Sequence, residues 1–178
     1  MKNEKITIRT ASSADNTLLA ELGRQTFFES YAADNTPENM AAYLDTSFSP
    51  ERQAQELADP QTTFFIAEID GEPVGYTRIR EGASPVTKKN ERSLEIVRIY
   101  SKLEWIGHGV GSTLMSTCIE EGAKKGFDSI WLDVWAYNPR AIGFYRKWGF
   151  VEVGNQAFQL GDETQIDILM KRPIHLPE

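Results

Sequence analysis

One cysteine, Cys118, and two histidines, His108 and His175, are the only thiol and imidazole groups in 178 residues. A lone thiol excludes an internal disulfide and fits a reducing, cytoplasmic setting. The three residues have no zinc-like spacing, so no bound metal is expected. No apolar run approaches the length of a membrane span, and Met1-Lys-Asn-Glu-Lys-Ile6 lacks the apolar centre of a signal peptide, so no membrane partner is expected. Repeats, low-complexity tracts and linkers are missing too. Residues 1–178 therefore read as a single domain, long enough to bury a substantial core. Basic residues are in deficit, 19 against 26 acidic, for a net charge of −7. Between Glu29 and Glu72, ten acidic residues face Arg52 alone. Such a field repels nucleic acid and draws cations.

The apolar pattern divides the chain cleanly. Lys5–Arg9 alternates as a short strand. A helix follows the Ser12-Ser-Ala-Asp15 start, with Leu18, Leu19, Leu22 and Phe27 as its stripe. Thr36-Pro37 and Ser49-Pro50 each combine an N-cap residue with proline at the first helical position, opening two more helices. Strands at 62–69 and 73–79 flank Asp70-Gly71, a hairpin turn. A strand at 93–100, a helix from about 110 to 125, a strand at 129–135 and a helix at 139–148 come next, then strands at 151–160 and 164–170. This order predicts a mixed α/β sheet with a parallel strand–helix–strand unit at its centre. Repeated dinucleotide-binding halves are absent. Cys118 falls mid-helix on a core-facing position, which predicts a packed thiol.

Chemistry concentrates in two strings. Trp105-Ile-Gly-His-Gly-Val-Gly-Ser112 sets three alternating glycines between a strand and a helix start. Glycine lets backbone N–H groups converge, and the helix N-terminus adds partial positive charge, so the turn suits a phosphate. The spacing matches neither the Rossmann fingerprint nor a Walker loop. The second string runs from Trp131 to Phe150. In it Asn138 is a good N-cap, Pro139 suits the first helical position and Gly149 suits the left-handed position after the helix. Ile142, Phe144, Tyr145 and Trp148 cover the buried side of that helix.

The glycine turn resembles motif A of the GNAT acetyltransferase superfamily, [RQ]-x-x-G-x-[GA]. Asn138-x-x-Ala141-x-x-Phe144-Tyr145-x-x-x-Gly149-Phe150 resembles its motif B at every position. The resemblance implies a mixed, mostly antiparallel sheet with a splayed parallel pair at the cofactor site, flanked by helices. It also implies acetyl-CoA as co-substrate. Its pyrophosphate would lie on backbone N–H groups of Gly107, His108, Gly109, Val110, Gly111 and Ser112. The pantetheine arm would lie along Arg98-Ile99-Tyr100 in the manner of an added strand and contact Asn138, with Pro139 and Arg140 beside it. Tyr145 would sit by the thioester sulfur and protonate the leaving thiolate. One position departs from the pattern: Ile106 stands where the family has Arg or Gln, which removes a side-chain donor.

Acetyl transfer needs a neutral amine, and a primary amine near pKa 10 is mostly protonated at pH 7. Glu95 is the first candidate to take the proton; it lies where histone-acetylating members carry their base. Strand alternation places it with Val97 and Ile99 on one face. Asp133 and a water chain are the alternatives. Thr36–Leu44, Ser93–Tyr100, Ile130–Trp135 and Gly161–Asp167 resemble PaiA-type polyamine acetyltransferases, which implies a small amine such as spermidine or spermine as acceptor. The acidic first helices, on the acceptor side in this superfamily, would then attract it. Protein amines, aminoglycosides and a non-catalytic acyl-CoA-binding regulator stay open. Homodimers are common in this superfamily, although no isolated apolar strip predicts one here.

Overall fold

The computed structural model describes residues 5–175. Seven strands form one sheet in the order β1-β2-β3-β4-β5-β7-β6. They are β1 (Ile6–Thr10), β2 (Thr62–Ile69), β3 (Glu72–Arg80), β4 (Ser93–Ser101), β5 (Ser129–Trp135), β6 (Val151–Leu160) and β7 (Glu163–Pro173). Every neighbouring pair is antiparallel except β4 and β5. The helices are α1 (Asn16–Tyr31), α2 (Pro37–Ser47), α3 (Pro50–Ala58), α4 (Val110–Lys124) and α5 (Pro139–Lys147). Among the described residues no helix is long and apolar enough to cross a membrane.

Local chemistry explains the boundaries. Thr36, Ser49 and Asn138 each accept a bond from the backbone N–H three residues on, and each precedes proline. Asp70 and Gly71 both take positive φ, 51° and 83°, as the tight twist of a two-residue hairpin requires. Gly149 closes α5 at φ 87°.

Two layers of helix cover the sheet. Helices α4 and α5 pack on one face over Ile79, Leu94, Ile96, Ile130, Leu132 and Met170. Helices α1 to α3 pack on the other, over Phe64, Ile66 and Tyr76 near α1 and around Phe48 and Leu160 at the far end. Cys118 is fully buried on the α4 face, with its sulfur 3.3 Å from the Thr77 hydroxyl. Burial pushes its thiol up to about 12, as a packed thiol requires.

Strand β4 breaks the simple alternation. Its register against β3 runs Arg78↔Arg98 and then Ile79↔Ile96, so Val97 is an extra residue. This bulge reverses the alternation downstream of it. Leu94, Ile96 and Ile99 all point toward α4, whereas Glu95 shares the opposite face with Arg98 and Tyr100. The expected common face for Glu95, Val97 and Ile99 is therefore corrected.

Candidate active site

The parallel pairing of β4 with β5 runs only from Ser93↔Ser129 to Ile96↔Leu132. Beyond it β4 continues to Ser101 and β5 to Trp135 without bonding to each other. The split opens a cavity of about 630 Å³ whose walls come from both faces of the sheet. The glycine turn, Phe144 and Tyr145 enclose it on the α4–α5 side, and aromatic residues of α1 and α2 enclose it on the other.

On the first side, Gly107 and Gly109 adopt positive φ, 86° and 88°, and Gly109 is the N-cap of α4. The N–H groups of Gly107, Gly109, Val110, Gly111 and Ser112 donate to no protein acceptor among the described residues. A Cβ built on Gly107 would meet nothing within 4 Å, so the space before the turn is open. Ile106 lines the cavity from the preceding extended residue. Three of the expected residues keep their side chains out of the cavity, and the His108 N–H is spent on Trp105 O at 3.2 Å, whereas the Val110 N–H has no acceptor among the described residues. His108 lies edge-on to Trp105 with ring centroids 5.7 Å apart, and the Val110 side chain is buried with Leu114 and Val74. Pro139 stays outside the cavity wall, while Asn138 and Arg140 on either side of it form part of that wall.

Asn138 has two aspects at once. Its Oδ1 accepts from Ala141 N at 3.2 Å as the helix cap, and the residue also lines the cavity. Tyr145 is 8% exposed, and its hydroxyl has no hydrogen-bond partner among the described residues. Burial holds its pKa well above the usual phenol range, so it stays protonated.

The opposite side carries the charge. Glu95 is 8% exposed, and its Oε2 accepts from Arg80 Nη2 at 2.6 Å and Nε at 2.8 Å. Burial raises its pKa and Arg80 opposes that rise. Arg98 also lines the cavity, but its guanidinium is held by Glu56 at 2.7 Å and lies 4.7 Å over the Phe48 ring. Glu56 gathers Arg52 and Arg78 as well. Ile99 and Tyr100 complete the β4 wall. None of the ten acidic residues between Glu29 and Glu72 reaches the cavity. Helices α1 and α2 instead present Phe27, Tyr31 and Tyr43 to it, so any pull of the acidic helices on a cation acts as a field from outside the cavity and not by contact.

Sequence reasoning passed over Asp167 as a site residue. It lies on β7 opposite Trp135 of β5 and Gln156 of β6, on the same face as Asp133. Its signals in the sequence are an acidic residue inside the apolar run Ile166–Met170 and its place at the end of the Gly161–Asp167 segment.

The acetyltransferase (GNAT) family model matches residues 24–150. An uncharacterized N-acetyltransferase from the pepI 3′ region of Lactobacillus delbrueckii subsp. lactis is 31% identical over 153 residues, covering 86% of this chain and 88% of that protein. A spermidine N(1)-acetyltransferase from Thermoplasma acidophilum is 26% identical over 149 residues, covering 82% of this chain and 88% of that protein. The fold also matches the crystal structure of the PaiA N-acetyltransferase from Thermoplasma acidophilum in complex with coenzyme A. That match has a TM-score of 0.77 at 23% identity, over 95% of this chain and 99% of that one. The chain belongs to the acetyltransferase (GNAT) family. Its acetyl donor is acetyl-CoA. The unpartnered N–H groups at the start of α4, with open space before them, fit the donor's pyrophosphate.

Proposed function

We propose that this protein transfers an acetyl group from acetyl-CoA to a primary amine of a small cationic acceptor, with spermidine and spermine the first candidates. The observation that carries this reading is the cavity passing through the sheet, with a phosphate-binding turn and a phenol on one side and buried carboxyls on the other. The similarity to a spermidine N(1)-acetyltransferase supports the polyamine choice.

Acetyl-CoA, when bound, supplies an acyl group activated as a thioester. The chain's own groups do the rest. The N–H groups at Gly107 and Gly109–Ser112, backed by the α4 dipole, hold the pyrophosphate, and Ser112 adds a hydroxyl. Arg140 contributes charge at the same wall. The free edge of β4 at Arg98, Ile99 and Tyr100 offers backbone groups to the pantetheine amides, and Asn138 faces them.

Tyr145 donates a hydrogen bond to the departing sulfur. A phenol near pKa 10 is a weaker acid than a thiol near 8.5. Burial widens that gap, so Tyr145 keeps its proton while it stabilises the thiolate. Glu95 takes the proton of the attacking amine. Its Oε2 is occupied by Arg80, which leaves Oε1 without a donor among the described residues, on a side chain that lines the cavity. Desolvation lifts the basicity of this carboxylate, as the role requires.

The test is thiol release from acetyl-CoA over a panel of spermidine, spermine, lysine peptides and an aminoglycoside. Release dependent on spermidine or spermine is expected. Release with peptides alone would move the acceptor to protein amines. A non-catalytic acyl-CoA-binding role is the second reading, favoured by Ile106 at the family's Arg/Gln position. Coenzyme A binding without release for any amine would establish it.

A further inference from the structure

Charges around the cavity do not cancel evenly. Arg80 is matched by Glu95, and Arg98 by Glu56. Asp133 and Asp167 have no cationic partner among the described residues. Asp133 Oδ2 accepts one bond, from Gln156 Nε2 at 3.1 Å. Asp167 is 7% exposed, lines the cavity and accepts from no protein donor among the described residues; its raised pKa marks it as the partner that holds the proton and donates to the Asp133 carboxylate. A buried carboxyl with no donor is costly unless it holds a proton or meets a cation. Aromatic rings stand around the pair. Tyr31 meets Trp135 edge-on at 6.2 Å and Tyr43 meets Phe158 at 5.7 Å, faces suited to an ammonium.

We propose that Asp133 and Asp167 form the seat for a second, non-reacting ammonium of the acceptor, so that the enzyme selects diamines and polyamines over monoamines. The inference rests on the amine-acetylating reading and adds to it where the second charge lies. Glu95 pairs with Trp131 in the β4–β5 register, and Asp133 follows two residues along β5 on the same face. Two residues of strand span about 6.6 Å and neighbouring strands lie about 4.8 Å apart, so the Glu95 and Asp133 backbones are separated by roughly 8 Å. Side chains that reach into the same cavity across that distance can meet two neighbouring nitrogens of a polyamine.

Burial and the Asp133 carboxyl push Asp167 up to about 7, a value belonging to the pair that shares one proton. The groups facing the pair are Tyr31 of α1, Tyr43 of α2, Tyr145 of α5 and Glu95 with its Arg80. All three phenols stay neutral under burial, and Arg80 offsets Glu95. An arriving ammonium therefore displaces the shared proton to solvent, and the pair becomes doubly ionised. No covalent bond changes. Because proton and ammonium compete, binding tightens as pH rises through that value.

Two measurements test this. The first compares kcat/KM for 1,4-diaminobutane and 1-aminobutane in the parent and in Asp167→Asn. The parent should favour the diamine by roughly 10- to 100-fold, the worth of one charged hydrogen bond. The variant should lose most of that ratio through KM. The second is calorimetry of spermidine binding without acetyl-CoA, at pH 7, in buffers of different protonation enthalpy. Net proton release is expected from the parent and none from Asp133→Asn or Asp167→Asn. An unchanged ratio in Asp167→Asn overturns the proposal, and so does spermidine binding without proton release in the parent, which needs no variant to fold. Failure of every amine to be acetylated would sink the proposed activity instead, while the calorimetry would still judge the seat.

Discussion

Gly75 packs against both the free end of β4 and the first turn of α4, and replacing it with alanine perturbs both. It lies in β3 opposite Ser101 of β4. A Cβ there would stand 2.7 Å from the Tyr100 carbonyl oxygen, 2.9 Å from Val110 Cγ1 and 3.2 Å from Ser101 Cα. Its φ lies outside the left-handed region, so the penalty is steric rather than conformational. Two of the three obstructing atoms are backbone and cannot rotate away. Relief requires the free end of β4 and the first turn of α4 to shift by several tenths of an ångström. Overpacking of this kind costs about 1–3 kcal/mol. For a domain of this size a loss of about 2 kcal/mol lowers Tm by roughly 4–8 °C. The same shift misaligns the turn's N–H groups, and weakening one charge-assisted bond lowers coenzyme A affinity by roughly 10-fold or more. Thermal unfolding followed by circular dichroism and calorimetric titration with coenzyme A read the two effects. Gly143→Ala is the control, since a Cβ there meets nothing within 4 Å in a helical backbone. It should stabilise by about 0.5–1 kcal/mol. A Gly75→Ala protein that melts within 1 °C (about 0.3 kcal/mol) of the parent and binds coenzyme A equally well would refute the reasoning.

Tyr145→Phe should lower kcat by roughly 10²-fold or more with coenzyme A affinity within about threefold, as loss of a transition-state donor predicts; equal losses in both would mark a packing role. Ile106→Arg should tighten coenzyme A binding by about 1.5–3 kcal/mol in calorimetry, and no change would mean that the backbone N–H groups suffice. Glu56→Gln should destabilise by about 3–5 kcal/mol in urea unfolding, because Arg78 and Arg98, 7% and 11% exposed at the side chain, lose their shared counter-charge. A loss below about 1 kcal/mol would place that network among surface pairs.

Most element boundaries were legible because cap, proline and turn chemistry is local. Strands 62–69, 129–135 and 151–160 stand where the apolar runs and their flanking turns place them. The glycine turn and the Asn138 helix were legible for the same reason, since each is a contiguous string. Face assignment on β4 was not read correctly, although Ile96-Val97 places two apolar residues in succession and marks the bulge. Asp167 escaped because its meaning is long-range. Only the β5–β7–β6 register brings it beside Asp133 and Gln156. The acidic bias of residues 29–72 is legible as a field but not as a set of positions. Composition counts charges without saying where they point, and the one of them that is buried, Glu56, points into an arginine cluster.

The gap between β4 and β5 makes the middle of this sheet an edge. Val97–Ser101 is central by position, yet along one side its main-chain groups have no neighbouring strand to protect them. Amide hydrogens on that side should exchange with solvent on the timescale of an edge strand, while those of Leu94 and Ile96 exchange only with deeper opening. A ligand bonding along Val97–Ser101 would act as the missing strand and slow exchange there first. Stability would then rise with ligand concentration in proportion to the logarithm of its saturation ratio. The same gap leaves half-buried, unpaired strand groups in the interior of the fold, a place where sheets ordinarily have none.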